Sequence, residues 1–566
     1  MKNNIFIFPF IALILLSVSA CEKLDREVLT NKSEKQITSS YQQTGYRQAS
    51  LYTDLPEGFL YIDRAMMASA TDEAEHTNET AAIQKFNNGS WNAFDNPDNA
   101  WSRYYKAIRK VNQFLVSSDS IDLEVYRLDP SPSQQSVYNT RIAEIRRWKY
   151  EARFLRAFFY SELIKRYGGV PIFTEALSLT DDFKSIKRNT LADCIKFVTD
   201  ECDSAAAALP VVYADIDLGR ATKGAALALK SRVLLYAASD LFNTPSWAGG
   251  YGHPELISLT GDRQARWQAA AAAAKAVIDL AGSSYWLHYD YRSIFNNYNI
   301  PEIILTRRNG GSNEFEKANY PIGFDLGESG TTPSQNLVDA YEMKDGTPFN
   351  WENPVQAANP YANRDPRLDL NIITNNTWYK SRGVEIWAGG QDGKGIANAT
   401  KTGYYLKKYL SEYTNILLNN TSVHSWILIR LPEMYLNYAE ALNEYSPGNA
   451  DIKTYVDMVR SRPGIDMPGV PSNLSQAAMR ERIRNERRVE FAFEDHRSWD
   501  VRRWMQGPAY LGVPLRGVDI TKNTDGSFKY VPIVVENRVF DPKMYLYPIP
   551  QGELTISTEL VQNPLW

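Results

Sequence analysis

Glu151-Ala-Arg-Phe-Leu-Arg-Ala-Phe-Phe-Tyr160, running on to Arg166-Tyr-Gly-Gly-Val-Pro171, is the stretch on which the fold turns. Tyr150, Phe154 and Phe158 form one i, i+4 row, and Leu155, Phe159 and Leu163 form another. A helix here is apolar on more than one side, so it must be packed between neighbours. The spacing predicts a helix over residues 139–167. Gly168-Gly169 with Pro171 just beyond ends it, because glycine takes the left-handed cap and proline cannot continue the helix.

Working outward, residues 190–209, 222–241 and 262–281, the last carrying the alanine run 269–274, also read as helices. The connectors are short except around 242–261. Paired helices about one repeat-length apart point to a right-handed stack of tetratricopeptide type. The strict tetratricopeptide signature is absent, so the match is architectural. Apolar residues also recur at helical spacing over 41–118, with breaks at Asn87-Asn-Gly89 and Asp95-Asn-Pro-Asp98. Helices return at 431–444, 450–460 and 476–504. Between about 283 and 425 Gly, Asn, Pro and aromatics dominate, with strand-like pieces at 302–306 and 368–374. Loop-rich insertions of this size are usually functional. A hairpin is expected around Asn523-Thr-Asp-Gly526, and Tyr545-Leu-Tyr-Pro-Ile-Pro550 closes the chain. The expected fold is mainly α: a tetratricopeptide-like helical-repeat scaffold with a loop-rich insertion and a few short strands. The expected division is 1–20 signal, 21–40 tether, 41–282 helical, 283–428 insertion and 429–566 helical.

The composition, 44% hydrophobic and 23% charged over 566 residues, excludes a disordered, collagen-like or multi-span membrane chain. A net charge of −4 leaves no electrostatic footprint for nucleic acid. The 34 Tyr, 22 Phe and 13 Trp suit a surface that grips something half-apolar. At the start, Lys2 precedes an apolar run from Ile5 to Ala20 that is shorter than the ~20 residues of a membrane span. It ends in Val18-Ser19-Ala20-Cys21, a secretory pattern. The Cys at the cleavage point resembles a bacterial lipoprotein signal, in which Cys21 becomes the first mature residue and carries the lipid. Two or more acyl chains hold a protein stably on a membrane. Cys194 and Cys202 lie eight apart in a helix, ~12 Å between Cα atoms, too far for a disulfide. They read as small core residues.

No nucleophile elbow, P-loop or His-Glu-x-x-His motif occurs. The five His are scattered, so no zinc site and no cofactor is expected. Asp95-Asn-Pro-Asp98 and Gly390-Gln-Asp-Gly393 lack the ligand alternation of a calcium loop. Glu490 and Glu494 stand one helical turn apart and could form an acid/base pair. Both lie among Arg487, Arg488, Arg497, Arg502 and Arg503, which lower a carboxylate's pKa where a general acid needs it raised. They read as a helix-packing ion network. Trp91, Tyr320, Trp378 and Trp387 differ: they sit in Gly/Asn/Asp-rich loops where no apolar period demands them. A pyranose ring has an apolar C–H face and a hydroxyl rim. Loop rings can stack on that face while Asn, Asp or Arg take the hydroxyls. Asp72 and Glu73, in loop 71–80, are candidate hydroxyl partners. Three stacking contacts at ~0.5–1.5 kcal/mol each, with some hydrogen bonds, give roughly millimolar to micromolar affinity.

Several blocks together resemble the SusD/RagB-like outer-membrane nutrient-binding lipoproteins. They are the lipobox at Cys21, Trp101-Ser-Arg-Tyr-Tyr-Lys-Ala-Ile-Arg-Lys-Val-Asn112, the 151–171 stretch, Gly219-Arg-Ala-Thr-Lys-Gly-Ala-Ala226 and Pro333-Ser-Gln-Asn-Leu-Val-Asp-Ala-Tyr341. Asn363-Arg-Asp-Pro-Arg-Leu368, Arg430-Leu-Pro-Glu-Met-Tyr-Leu-Asn-Tyr-Ala-Glu-Ala441, Arg487-Arg-Val-Glu-Phe-Ala-Phe-Glu-Asp-His-Arg497 and the terminal Tyr547-Pro-Ile-Pro550 with Gln562-Asn-Pro564 complete the set. The resemblance implies a non-enzymatic protein anchored by lipid on the outer face of the outer membrane. It implies that the protein caps a SusC-like TonB-dependent transporter and loads oligosaccharide, or in some branches peptide. In the family's starch-binding member a stacking Trp precedes the Trp-x-x-Tyr-Tyr-type helix, a position that looks like Trp91, followed by Asn92. A surface glycoside hydrolase is the alternative from another class.

Overall fold

The computed structural model describes residues 33–566 apart from residues 179, 281 and 283. The expected signal, Cys21 and the tether up to residue 32 lie outside the described residues. The end of the expected tether forms a single helical turn, Glu34–Thr38, closed by a Ser33/Gln36 capping box.

Ten helices build the frame: α1 (Tyr41–Ser50), α2 (Ala100–Ser117), α3 (Pro132–Tyr167), α4 (Leu191–Ala208), α5 (Lys223–Ala238), α6 (Arg263–Ile278), α7 (Leu431–Tyr445), α8 (Ala450–Arg460), α9 (Gln476–Glu490) and α10 (His496–Arg503). From α2 onward each helix packs on the next through α8, and α7 also packs on α9. The fold is mainly α and of helical-repeat type. α3 starts with Pro132 in its first turn, where no backbone N–H is needed. It is buried on all sides from Phe154 to Ile164. It stops at Gly168, whose φ of +75° suits glycine, and where a Cβ would meet the Leu256 carbonyl oxygen at 2.4 Å. Buried alanines on α4, α5 and α6, among them Ala205, Ala225, Ala228, Ala270 and Ala274, let these helices approach closely. Cys194 and Cys202 are free and buried in α4, and burial pushes the Cys194 thiol up to about 12.

α6 packs directly on α7 although residues 279–430 lie between them in the chain. The insertion therefore loops out of a continuous helical stack. Its base is an antiparallel pair. β1 (Ile303–Ser312) opens it; β2 (Trp378–Tyr379) and β3 (Arg382–Gly383) form a small hairpin within it; β4 (Ser422–Arg430) closes it against β1. β5 (Leu515–Lys522) and β6 (Phe528–Glu536) form the expected hairpin after α10.

A buried ion network pins the insertion to the frame. Arg367 Nη1 lies 2.6 Å from Glu486 Oε1 and 2.8 Å from Glu490 Oε2. Arg430 Nη1 reaches Glu490 and Glu302 at 2.5 and 2.9 Å, and Lys408 Nζ reaches Glu494 at 2.7 Å. Burial would raise the Glu490 carboxyl, but Arg462, Arg430 and Arg367 override it and hold its pKa well below the usual range. The same balance lowers Glu494.

Three expectations about local structure change. The helix expected over 476–504 is two helices: Phe493 and Asp495 take positive φ, and Glu494 turns to Arg430 and Lys408. The strand expected over 368–374 is a helical turn, Arg367–Asn371, then a two-residue strand, Ile372–Ile373. Asp365 caps that turn by accepting the Arg367 N–H at 2.9 Å. Between α1 and α2 the chain holds only short helical pieces and a three-residue strand, Ala74–His76, paired with Thr331–Pro333; Leu55, Phe59, Ile62 and Met66 are buried by tertiary packing of an irregular segment.

Candidate functional site

The hairpin β5–β6 organises a surface where the insertion meets the N-terminal loop 71–80. Strand alternation puts Phe528 and Tyr530 on one face of β6. Phe528 lies 5.3 Å from the Trp387 ring and 6.4 Å from Tyr530, and Tyr530 lies 5.4 Å from Tyr361. These four half-buried rings form a continuous ridge. Lys522, paired with Phe528 across the hairpin, places its ammonium 4.5 Å from the Trp387 ring.

The other edge of β5 holds the insertion. The Ala388 N–H donates to the Ile520 carbonyl at 2.9 Å, and the Val518 N–H donates to the Thr402 carbonyl at 2.9 Å. Two strand positions, about 7 Å, thus separate the Trp387 loop from the segment around Thr400. That segment forms one wall of an open cleft of ≈ 470 Å³, and residues 77–80 form the other. Asn78, Glu79 and Thr80 face Asn398 and Lys401 across it, and the Lys401 ammonium pairs with Glu79. Asn78 Oδ1 accepts from the Thr80 N–H and hydroxyl, fixing the turn. Lys394, which also lines the cleft, pairs with Asp519 of β5. A row of rings beside a rim of amides, hydroxyls and charges can stack on a flat apolar face while bonding polar groups at its edge.

Two family models match the chain, one described as the SusD family over residues 301–566 and one as starch-binding, associating with the outer membrane, over residues 22–235. The chain belongs to the SusD/RagB-like family. The SusD-like protein P2 of Formosa agariphila is 23% identical over 475 residues, covering 82% of this chain and 79% of that protein. A SusD-like protein of Bacteroides fragilis, solved as a crystal structure, has a TM-score of 0.78 at 27% identity and covers 94% of this chain and 99% of its own. A second B. fragilis structure, described as a SusD-like carbohydrate-binding protein, shares the fold at TM-score 0.76 and 24% identity, covering 93% of this chain and all of its own.

The expected binding residues of this SusD-like chain do not converge. Trp378 is 70% exposed, because its cross-strand neighbour is Gly383, while the next residue, Tyr379, points into the core against Tyr320 and Phe324. Trp387 joins the ridge. Trp91 is a correction: it is 1% exposed, packed edge-to-face on Phe86, Tyr547 and Trp566 at 5.0, 5.0 and 4.7 Å, and offers no face to a ligand. Tyr320 is a correction too. Its ring is fully buried, its hydroxyl donates to the Thr414 carbonyl at 3.0 Å, and the Lys380 ammonium sits 4.4 Å from the ring centre.

Asp72 and Glu73 are likewise corrected. Both are buried. Asp72 bonds Arg488 and Arg497 at 2.5 and 2.7 Å. Burial, reinforced by the Asp72 charge, pushes Glu73 up to about 8. Asn92 is exposed, but its side-chain Oδ1 is used locally, accepting the Phe94 N–H at 2.9 Å. The turn Asn92 makes sends Trp91 inward and leaves Phe94, three residues on, 85% exposed. Phe94 sits in Asn-Ala-Phe-Asp-Asn-Pro-Asp, a loop where no apolar period demands a ring, so the test applied to Trp and Tyr finds it once Phe is included. Tyr361, in Asn359-Pro-Tyr-Ala-Asn363, also meets that test, whereas Phe528 and Tyr530 stand on strand positions and carried no such local signal. Among the described residues no group of three His, Cys, Asp or Glu side chains could hold a metal ion.

Proposed function

We propose that this chain is a cell-surface lipoprotein that binds oligosaccharide and passes it to a SusC-like TonB-dependent transporter. Residues 1–20 direct export, Cys21 carries the lipid that anchors the chain on the outer face of the outer membrane, and residues 21–40 tether it. Residues 41–282 and 429–566 form the frame, and 283–428 supplies the binding loops. The carrying observation is the ring ridge Tyr361–Tyr530–Phe528–Trp387 on the β5–β6 hairpin, whose free edge also holds the segment that walls the polar cleft of ≈ 470 Å³. Trp378, three residues past Asn375, which lies beside Tyr530, adds an exposed ring in the same insertion. The carbohydrate-binding description of a structural neighbour supports the ligand class. No helix among the described residues is long and apolar enough to cross a membrane.

The geometry favours capture over turnover. Glu490 and Glu494 are buried and held ionised by arginines, so neither serves as a general acid. Ser422, His424 and Glu316 cluster, but His424 Nε2 meets both Ser422 Oγ, at 3.0 Å, and Glu316 Oε1, at 2.8 Å. One nitrogen cannot both take the serine proton and be oriented by the acid. A glycan array and affinity-gel screen of the soluble form lacking residues 1–21 tests the proposal. Binding in the millimolar to micromolar range without release of sugar products supports it. Catalytic turnover, or indifference to every oligosaccharide while peptides bind, overturns it.

A further inference from the structure

A second cleft, of ≈ 260 Å³, lies between residues 48–55, the turn 218–220 and the β1 residues 306–308. Its floor is built around buried Glu151, whose carboxylate accepts from Gln48 Nε2 at 2.5 Å, Tyr52 at 2.8 Å and Tyr213 at 3.0 Å, with Arg220 at 3.4 Å. Those contacts consume Glu151 and fix Gln48, Tyr52 and Arg220 in place. The Gln48 carbonyl oxygen, fully buried, is left without a partner.

Arg307 and Arg308 line the same cleft, and among the described residues neither is ion-paired with a carboxylate; Arg308 donates to the Leu218 carbonyl at 3.3 Å. Arg307 donates to the Leu55 carbonyl at 2.5 Å, the same oxygen that Arg103 reaches at 3.2 Å, so two guanidinium groups converge on one neutral acceptor. The nearby carboxylates are engaged elsewhere: Glu57 accepts the Phe59 N–H, and Asp54 holds the Lys110 ammonium at 2.8 Å. Arg308 stacks 3.9 Å from the Tyr298 ring centre and lays its stem on Gly219. Burial, reinforced by Arg103 and opposed by Glu57, lowers Arg307 from the ordinary arginine value. Arg103 and Arg307 repel one another and the Glu57 and Asp54 charges offset this only in part, so a further anion beside Arg307 is favoured.

We propose that this cleft binds an oxyanion group, carboxylate or sulfate, carried on the oligosaccharide, with Arg307 and Arg308 as the contacting cations. The proposal starts from the oligosaccharide reading above and adds acidic glycans to its cargo. It is tested by calorimetry on the full chain in detergent with four probes: a neutral galactan tetrasaccharide, the same sugar sulfated, a galacturonan tetrasaccharide, and inorganic sulfate. The acidic sugars are expected to bind on the order of tenfold more tightly than the neutral one at low salt. That advantage disappears in R307Q/R308Q, while the neutral affinity stays the same. Because Arg308 is exposed, R308Q alone serves if the double variant folds poorly. Trp378→Ala weakens all three sugars alike, which separates the two sites. Saturable binding of inorganic sulfate lost in R307Q/R308Q supports the cleft even where every sugar fails, an outcome that ends the oligosaccharide reading alone. Equal affinity for acidic and neutral sugars with no sulfate binding, or an advantage that survives the double substitution, overturns it.

Discussion

Trp91 and Trp378 make a matched pair for testing where this protein touches its ligand. Both stand in Gly/Asn-rich loops, yet one is 1% and the other 70% exposed. Trp91→Ala empties a core position bounded by Phe86, Tyr547 and Trp566 and is expected to cost about 3–5 kcal/mol of stability. The indole N–H already lacks a partner, so no hydrogen bond adds to that cost. Trp378→Ala removes a ring opposite Gly383 and should change stability by no more than about 0.5 kcal/mol. If a sugar covers that ring, the loss of stacking and buried area is about 1–2 kcal/mol, a roughly five- to thirtyfold weaker affinity. Urea unfolding followed by far-UV circular dichroism measures the first effect, and titration calorimetry with the best ligand from the glycan screen measures the second. The reasoning fails if Trp91→Ala keeps its unfolding midpoint and loses binding, or if Trp378→Ala binds like the parent.

Glu490→Gln leaves Arg367, Arg430 and Arg462 facing a neutral amide, and should destabilise the fold by about 3–5 kcal/mol. Limited proteolysis should then cut within residues 283–428 first. Glu73 has a pKa raised from 4.5 to about 8, so its neutral carboxyl is the folded form: its contribution is complete below pH 4.5 and is lost as pH rises through 8. Glu73→Gln, neutral throughout, should raise the urea midpoint above pH 8 and change it little at pH 4; an unchanged midpoint at alkaline pH refutes the assignment. Lys401→Ala opens the Lys401–Glu79 pair across the cleft. It should shift affinity while leaving stability within about 0.5 kcal/mol, because both side chains are solvated.

The frame was legible because helical periodicity reports burial directly. The rows through Phe154 and Leu155 announced a helix packed on every side, and the Gly168 stop was readable from Gly-Gly-Val-Pro. The break at Phe491 was not, since nothing local foretells that Glu494 turns to Arg430 and Lys408. Loop aromatics were ambiguous for the same reason. Trp91 and Trp378 share a local composition, and only distant partners, Tyr547 and Trp566 for one and Gly383 for the other, decide which ring is hidden. Asp72 and Glu73 looked like surface carboxylates because Arg488 and Arg497, which enclose Asp72, are more than four hundred positions away in the chain.

The direct packing of α6 on α7 divides what may vary from what must stay. Since the stack closes across residues 279–430, the loops between can be traded for those of a relative without reopening the bundle. The graft must keep Arg367, Lys408 and the β1–β4 seam that plug it into α9 and its trailing turn. The insertion is thus a replaceable cassette, and among its docking terminals are the buried charges Arg367, Lys408, Arg430, Glu302, Glu486, Glu490 and Glu494.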